Sequence, residues 1–295
     1  MLDKFLDYLK YEKRYSLHTI KAYKTDLEEL YDYSELIHNC SSEDLNYQQV
    51  RHYIVYLQDR DFSNRTINRK LSSIKRYYKY LLSIEHINTD PTAKISSLKH
   101  EKKVMVPYSR EEMDNLFNSM EFTDDFEGRR DKLMLSVFYN TGIRQSELID
   151  LKLTSVDFSN SQIKVLGKRN KERIIPVLKE LLDEISDYIS LRNELESIES
   201  GDHLFLTKNG KHLYPSLVYG RINYYLSNVT KKVKKSPHMI RHTFATHMMD
   251  AGADLNSIKE LLGHTSLVAT QVYTHSSIGK LKSIVNNAHP RAKKK

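Results

Sequence analysis

The stretch HMIRHTFATH, residues 238–247, concentrates imidazole and guanidinium groups in a short, half-apolar segment. His238 and Arg241 are three residues apart, so a helix places them on one face of its first turn, where the helix dipole and free N–H groups favour an anion. His238 and His242 instead have the i, i+4 spacing of a metal-binding pair, for which His264 would be a third ligand. The segment therefore indicates a phosphate clamp, a zinc site or a helix that is merely rich in histidine.

The sequence disfavours zinc at this segment. Met239 stands where the HExxH motif of zinc hydrolases requires its glutamate, and the one cysteine of the chain, Cys40, is remote in sequence. The patterns GxxxxGK[ST] and GxGxxG are also absent, so ATP and dinucleotide binding have no support. We therefore predict an activity that needs no metal and no cofactor.

Four further motifs follow one another along the carboxy-terminal two thirds of the chain. Arg144 lies in TGIRQSEL, Lys168 in LGKRNKERIIPV, His264 in LLGHTS and Tyr273 in QVYTH. Together with HxxRHTFATH, and in this order and spacing, these motifs resemble those of the tyrosine recombinase family. The resemblance extends to SLHTIKAYKTDL and RTINRKLSSIKRYYKYL near the amino terminus, and HPRA at residues 289–292 is similar to the ending of the Xer group.

The resemblance implies a nucleophile and two arginines that act on a DNA phosphodiester. Tyr273, one of 20 tyrosines, is singled out by the family spacing alone, and its attack would store the bond energy in a phosphotyrosyl ester. Arg144 and Arg241 would neutralise the non-bridging oxygens, because planar, permanently charged guanidinium groups match a phosphate.

The same resemblance assigns the proton transfers and the remaining hydrogen bonds. Lys168, at the tip of a hairpin, would protonate the leaving 5′ oxygen, with Lys171 as the neighbouring candidate. His238 would assist the nucleophile and the phosphate, and His264 would be the second, hydrogen-bonding histidine. Glu147 is expected to buttress Arg144 or another basic group, while His242, Phe244 and His247 match packing or hydrogen-bonding positions of the family helix.

The function implied is site-specific recombination of double-stranded DNA. Four protomers would synapse two sites, each with two arms, and the carboxy-terminal tail, with Leu281, Ile284 and Val285, would pack into the neighbouring protomer. Similarity to the Xer group favours resolution of chromosome dimers at a terminus site, often with a paralogous recombinase and a septal DNA translocase. The alternatives are a mobile-element integrase or DNA invertase, a non-catalytic DNA-binding accessory protein and a zinc-dependent hydrolase.

The elements that must position these residues begin with helices in the first ninety residues. In NRTINRKLSSIKRYYKYLL, at about 100° per residue, one face carries Ile67, Leu71, Ile74, Tyr78 and Leu81. The opposite face carries a basic stripe of Arg65, Arg69, Arg76 and Lys79. A stripe of one charge sign suits a surface lined by phosphates, although it is also compatible with an ordinary solvent-facing side.

The chain is predicted to be mainly α, with two domains and a basic linker. Residues 1–93 would form a helical core-binding (SAM-like) DNA clamp, 94–106 the linker, and 107–295 a mostly helical catalytic domain with a small sheet. The catalytic domain starts at a capping box, Ser109 and Glu112. QIKVLGKRNKERIIPV, with two β-branched runs, reads as a hairpin, and the chain is expected to be helical again from Glu180.

Composition limits the location and the partners. The formal charge of +8 favours a polyanion such as nucleic acid. A lone cysteine permits no intramolecular disulfide and is typical of the cytoplasm. The start of the chain carries charges every few residues, unlike a signal peptide. The sequence contains no run of about 18 apolar residues, so it predicts no membrane span.

Overall fold

The computed structural model describes residues 1–99, 101, 105–167, 172–263 and 275–292. The chain forms two compact units, residues 1–104 and 105–295. In the described part of the first unit every regular element is a helix, whereas the second combines helices with one three-stranded sheet. The predicted fold class, mainly α with a small sheet in the second unit, is confirmed.

The amino-terminal unit is built from four helices whose starts are set by capping side chains. They are α1 (Leu2–Asp7, continued by a π-helical turn at Tyr8–Glu12), α2 (Leu17–His38), α3 (Tyr47–Asp59) and α4 (Asn64–Ser83). Ser16 caps α2, because its hydroxyl accepts a hydrogen bond from the Thr19 amide at 3.3 Å. Asn46 and Ser63 cap α3 and α4 in the same way, so polar side chains satisfy amide groups that the helices leave unpaired.

Helix α4 has the two faces that its sequence predicts. Its apolar positions are at most 2% exposed and form the core of the unit with α1, α2 and α3; they are Ile67, Leu71, Ile74, Tyr78 and Leu81. Residues 95–99, assigned by sequence to the linker, are attached to this helix. The Asn68 side chain bonds both backbone polar groups of Leu98 at 2.8 Å, and Ile95 is buried in the core.

An ionic cluster with a buried centre joins α2 to α4. The Asp26 carboxylate is inaccessible to solvent and accepts hydrogen bonds from Ser73 at 2.8 Å, Arg69 at 2.5 Å and Lys70 at 3.3 Å. The ammonium group of Lys70, whose side chain is 3% exposed, also bonds Glu29 at 2.6 Å. Two cations therefore meet two carboxylates, and the buried charges are paired, as burial requires.

The second unit has a sheet of three short antiparallel strands among helices. Its helices are α5 (Arg110–Asp114, continued by a π-helical turn at Asn115–Ser119), α6 (Phe126–Thr141), α7 (Gln145–Ile149), α8 (Lys179–Asn193), α9 (Pro215–Val229), α10 (Pro237–Asp250), α11 (Leu255–Leu262) and α12 (His275–Ala288). The strands β1 (Val156–Asp157), β2 (Gln162–Leu166) and β3 (Glu172–Pro176) lie in that order.

The hairpin prediction is confirmed, and the chain is helical again from Lys179, as predicted, with a non-helical segment between α8 and α9. Strands β2 and β3 pair in register from Gln162 opposite Pro176 to Leu166 opposite Glu172. Between α8 and α9 the chain is extended or turning, with isolated bridges from His203 to Lys152 and from His212 to Leu206. Gly201 and Gly210 take positive φ values of 52° and 68° there, which favours turns over helix.

Helix α6 is the centre of the second unit. Its residues from Leu133 to Thr141 are all buried, and it contacts both α8 and α10. The run LMLSVFYNT is buried on every side, as expected for a helix surrounded by others. Its buried polar groups are satisfied locally, since the Asn140 amide donates to the Ser136 carbonyl at 2.8 Å. This helix is the scaffold on which the next turn of chain presents Arg144.

The carboxy-terminal tail packs on its own unit. Leu281 and Val285 of α12 are at most 2% exposed within the core. Arg291, just beyond α12, donates to Glu184 at 3.1 Å, and its guanidinium lies 4.7 Å from the centre of the Phe117 ring. Insertion of the tail into a neighbouring protomer stays a prediction, and it would require these contacts to break.

Candidate active site

Three arginines from three different elements meet at the carboxyl end of α11. Arg173 of β3 donates to the Leu261 carbonyl at 2.8 Å, and Arg241 of α10 donates to Leu262 at 2.6 Å. Arg144, which precedes α7, donates to the carbonyl of Gly263 at 3.2 Å, so three consecutive carbonyls each receive a different arginine. The last carbonyls of a helix lack intrahelical donors and carry partial negative charge, which attracts cations to this end.

Two helix-ending glycines make this convergence sterically possible. Gly142 ends α6 with φ of 60°, and Gly263 ends α11 with φ of 64°, a conformation that favours glycine. A Cβ on Gly142 would lie 2.5 Å from the Phe244 ring, so the helices approach each other too closely for any side chain. The carbonyl of Gly142 is therefore free to accept a 2.6 Å hydrogen bond from Arg241.

Glu147 holds two of the arginines together; the sequence predicts a basic partner for it but not the second arginine, Arg173. One carboxylate oxygen accepts from Arg144 at 2.7 Å and from Arg173 at 2.8 Å, and the other accepts from Arg173 at 2.8 Å and from the Arg144 amide at 2.7 Å. Burial alone would raise the pKa of this carboxyl, but the hydrogen bonds and charges of Arg173 and then Arg144 outweigh it and lower the pKa to about 2. Glu147 is thus an ionised clamp at neutral pH.

The cluster has more positive than negative charge. Glu147 offsets one of the three guanidinium charges of Arg144, Arg173 and Arg241, which leaves two without a counterion inside the cluster. Burial, followed by repulsion from Arg144 and Arg173, lowers the pKa of Arg241 to about 10. A phosphate bound here would relieve that repulsion, because it would add negative charge at short range.

Exposure indicates which arginine a ligand meets first. The side chain of Arg144 is 32% exposed, whereas that of Arg173 is 5% exposed. Arg241 is 7% exposed as a residue and has two backbone carbonyls as partners. Arg144 is therefore positioned to contact an incoming anion, and Arg173 to hold the carboxylate beneath it.

The start of α10 is held by backbone contacts and a proline. The Ser236 side chain makes no capping bond; its backbone carbonyl accepts from Met239 at 2.9 Å, and Pro237 occupies the first turn. His238 is exposed at this end of the helix. The histidines beyond it pack and bond as expected: His242 Nε2 donates to the Met105 carbonyl at 3.1 Å, and buried His247 bonds the Tyr139 hydroxyl at 2.8 Å.

Half of the predicted catalytic set has a described position. Arg144 and Arg241 are brought together at the α11 carbonyls, and His238 lies at the start of the helix that carries Arg241. The other predicted catalytic residues, and the neighbouring candidate Lys171, lie outside the described residues. These catalytic residues are Lys168, His264 and Tyr273. In the sequence His264 directly follows Gly263, whose carbonyl is the last of the three that accept hydrogen bonds from the arginines.

Arg173 is a member of the cluster that the sequence motifs do not single out, although the sequence contains a signal for it. In β3 the side chains alternate, and Arg173 shares the buried phase with Ile175. A charged residue in the inward phase of a strand needs a buried partner, which here is Glu147. The tertiary partner could not be read from the pattern, since Glu147 lies 26 residues earlier.

The four basic residues predicted to bind DNA are all exposed on α4, but they are not equivalent. Arg69 is bonded to buried Asp26, and Arg76 donates to the Tyr15 hydroxyl at 2.6 Å. Arg65 and Lys79 have no hydrogen-bond or ion-pair partner within the described part of the chain. The stripe is therefore partly neutralised by its own unit, and Arg65 and Lys79 are its two unengaged charges.

Within the described ranges, no helix combines the length and the apolar character needed to cross a membrane.

Comparison with known proteins covers both units. Residues 108–279 match the phage integrase family, and residues 2–85 match the phage integrase N-terminal SAM-like domain. The chain is 36% identical to a tyrosine recombinase XerC of Natranaerobius thermophilus, over 98% of both chains. It is 37% identical to a tyrosine recombinase XerC of Anoxybacillus flavithermus, covering 99% of this chain and 98% of that one.

Solved structures share the fold. The XerH recombinase bound to a palindromic difH substrate aligns with a TM-score of 0.71 at 19% identity, over 97% of this chain and 83% of that one. The Tn1549 transposon integrase in complex with circular intermediate DNA aligns with a TM-score of 0.70 at 18% identity, over 95% and 98% of the two chains.

Proposed function

This chain belongs to the phage integrase family and is a site-specific tyrosine recombinase, and we propose that it cuts and rejoins double-stranded DNA through a 3′-phosphotyrosyl intermediate. The observation that carries this proposal is the meeting of Arg144 and Arg241 at the carbonyls of Leu262 and Gly263. Two uncompensated guanidinium charges at these carbonyls suit a phosphodiester whose non-bridging oxygens gain charge in the transition state.

The proposed reaction exchanges one phosphate ester for another at each step. The Tyr273 hydroxyl gives its proton to His238 and its oxygen attacks the phosphorus, a P–O bond forms as the bond to the 5′ oxygen breaks, and Lys168 gives that oxygen a proton. The 5′ hydroxyl of the partner strand then attacks the phosphotyrosyl ester, returns its proton to Lys168 and releases Tyr273, which regains its proton from His238. One ester replaces another at each step, so the reaction needs neither ATP nor water.

The arginine cluster would act mainly by preorganisation. Arg241 is fixed by Gly142 and Leu262, and Arg144 by Glu147 and Gly263, so neither has to reorganise when charge develops on the phosphate. His238 and His264 would supply further hydrogen bonds to the nucleophile and the phosphate. Arg173 would not contact DNA but would keep Glu147 ionised and in place.

The amino-terminal unit would supply affinity for the duplex. Its basic stripe on α4 offers Arg65, Arg69, Arg76 and Lys79 to the phosphate backbone, which positions a protein without reading sequence. The proposed assembly is a tetramer on two two-armed sites, formed with a paralogous recombinase and activated by a septal DNA translocase. The biological role we propose is resolution of chromosome dimers before cell division, in the cytoplasm.

The test is a trap for the covalent intermediate. Full-length protein is incubated with nicked fragments of its host genome and denatured, and the DNA attached to protein is recovered and sequenced. Wild-type protein and the Tyr31→Phe control, a change at an exposed tyrosine, should give adducts, whereas Tyr273→Phe should give none.

Each outcome decides between the candidate functions. One enriched site near the replication terminus supports dimer resolution, and scattered inverted repeats would replace that role with an integrase or invertase. Adducts that persist in Tyr273→Phe would overturn the assigned nucleophile. DNA binding without adducts in any variant would leave an accessory DNA-binding protein.

A further inference from the structure

A second group of ligating side chains lies outside the arginine cluster. Asp150, His203 and His212 each offer one ligand atom, and these atoms all lie within 4.8 Å of one another. Among the described residues it is the one group of at least three histidine, cysteine or acidic side chains with this geometry, and it includes neither His238 nor His242.

The fold brings these three residues together from two separate stretches of chain. Asp150 directly follows α7, while His203 and His212 belong to the segment between α8 and α9. That segment is fastened beside α7, because the Leu204 amide donates to the Leu151 carbonyl at 2.7 Å. It then turns back on itself and pairs His212 with Leu206, which returns His212 to the neighbourhood of His203.

The hydrogen bond of His203 prepares its other nitrogen for a ligand. Nδ1 of His203 lies 2.9 Å from the Ser200 carbonyl, and a carbonyl only accepts, so Nδ1 carries the proton. The unprotonated Nε2 then presents a lone pair. A ring oriented by a backbone carbonyl in this way is typical of histidines that bind metals.

His212 has the geometry of a ligand that lacks its partner. Its Nε2 is shielded from solvent and has no hydrogen-bond partner among the described residues. The nearest carboxylate oxygen, Oδ1 of Asp150, is 3.7 Å away, which is too long for a hydrogen bond. Two ligands of one tetrahedral zinc ion are separated by about 3.3 Å, since each lies about 2.0 Å from the metal.

We propose that Asp150, His203 and His212 bind a divalent first-row transition-metal ion, with water as the remaining ligand. Two imidazoles and one carboxylate suit zinc and its neighbours, whereas magnesium and calcium prefer oxygen alone. The ion would tie the segment between α8 and α9 to the end of α7, the helix whose first turn carries Glu147. Its role would be structural, separate from the recombination chemistry.

The test measures zinc binding by the untagged full-length chain. Zinc is titrated in competition with a chromophoric chelator, and thermal unfolding is followed with and without zinc. We expect one zinc ion per chain and a rise of several degrees in the unfolding midpoint. The double variant His203→Gln/His212→Gln should bind zinc at least tenfold more weakly and lose the rise in midpoint.

Two further variants keep the test decisive. Asp150→Asn changes a side chain that is 69% exposed, so it should fold normally and still weaken zinc binding. His238→Gln/His242→Gln serves as the matched control and should bind zinc like the wild type. The proposal is overturned if the wild type binds no zinc, if the double variant binds it unchanged, or if the control alone loses it.

The result of the zinc titration does not depend on whether the proposed recombinase mechanism is correct. The phosphotyrosyl adduct depends on Tyr273 and should form equally well in the presence of a chelator. If a chelator abolished the adduct while His203→Gln/His212→Gln still formed it, an essential metal would lie elsewhere in the protein. That result would contradict the metal-free mechanism, whereas the zinc site itself is decided by the zinc titration.

Discussion

The two units of this chain each contain an ionic cluster with a buried centre, and the two clusters differ in charge balance. In the first unit, Arg69 and Lys70 meet Asp26 and Glu29, so that cations and carboxylates are equal in number. In the second unit, three arginines meet one carboxylate, Glu147, and the remaining partners are backbone carbonyls. A carbonyl solvates a guanidinium group but does not neutralise it.

This difference separates a structural cluster from one that is prepared for a ligand. Unpaired charge is expensive to bury, so an excess of buried positive charge lowers stability unless an anion completes it. The balanced cluster needs nothing more and joins α2 to α4. The unbalanced cluster carries a lowered pKa at Arg241, which marks the place where a phosphate would be stabilising.

The largest effect is expected from changing the unbalanced cluster without changing its charge. Arg241→Lys keeps the cation but loses the two-pronged attachment to Gly142 and Leu262. We expect phosphotyrosyl formation on a nicked substrate to slow roughly a thousandfold, about 4 kcal/mol, with DNA binding nearly unchanged. Arg129→Lys, at an exposed ion pair with Asp124, is the control. A rate within tenfold of wild type would show that charge alone is sufficient.

The balanced cluster should respond in stability and not in chemistry. Asp26→Asn leaves Lys70 and Arg69 without their shared carboxylate, and we expect the free energy of unfolding of the first unit to fall by about 3 kcal/mol. Strand cleavage per folded molecule should stay close to wild type. Urea unfolding followed by tyrosine fluorescence measures the first quantity. Asp124→Asn, at an 83% exposed carboxylate, should cost less than about 1 kcal/mol.

Acid should weaken the second cluster through Glu147. Its pKa is about 2 in the folded chain and near 4.5 when unfolded, so its contribution is full above pH 4.5 and is lost as the pH falls toward 2. Between pH 6 and pH 3 this amounts to about 2 kcal/mol of unfolding free energy. Chemical unfolding at several pH values should therefore give a steeper acid loss for wild type than for Glu147→Gln. Parallel curves of unfolding free energy against pH for the two proteins would contradict the lowered pKa of Glu147.

The smallest effects on DNA binding are expected from the basic stripe of α4, where they distinguish an unengaged residue from one that is already bonded. Lys79→Ala removes an unengaged charge, so DNA affinity should fall a few-fold and the slope of log affinity against log salt should decrease by about 1. Arg76→Ala should change the slope less, because Arg76 is already bonded to Tyr15. Fluorescence anisotropy at four salt concentrations measures both. Equal slopes for the two variants would mean that the Tyr15 bond opens on DNA.

Much of the helical framework could be predicted from the sequence because its determinants are local. The Ser16 cap and the apolar face of α4 depend on residues within a few positions of each other. The segment between α8 and α9 could not be predicted, because its short bridges to Lys152 and Leu206 are tertiary contacts without a periodic pattern.

The sequence by itself determined the fold class, the family resemblance and the identity of Arg144, His238 and Arg241 as candidate site residues. Only the tertiary structure revealed Arg173 and its bond to Glu147, and only it placed three arginines on consecutive carbonyls of α11. The reason is physical: residue type and spacing fix local geometry, but charge balance in a buried site depends on groups that meet only after the chain has folded.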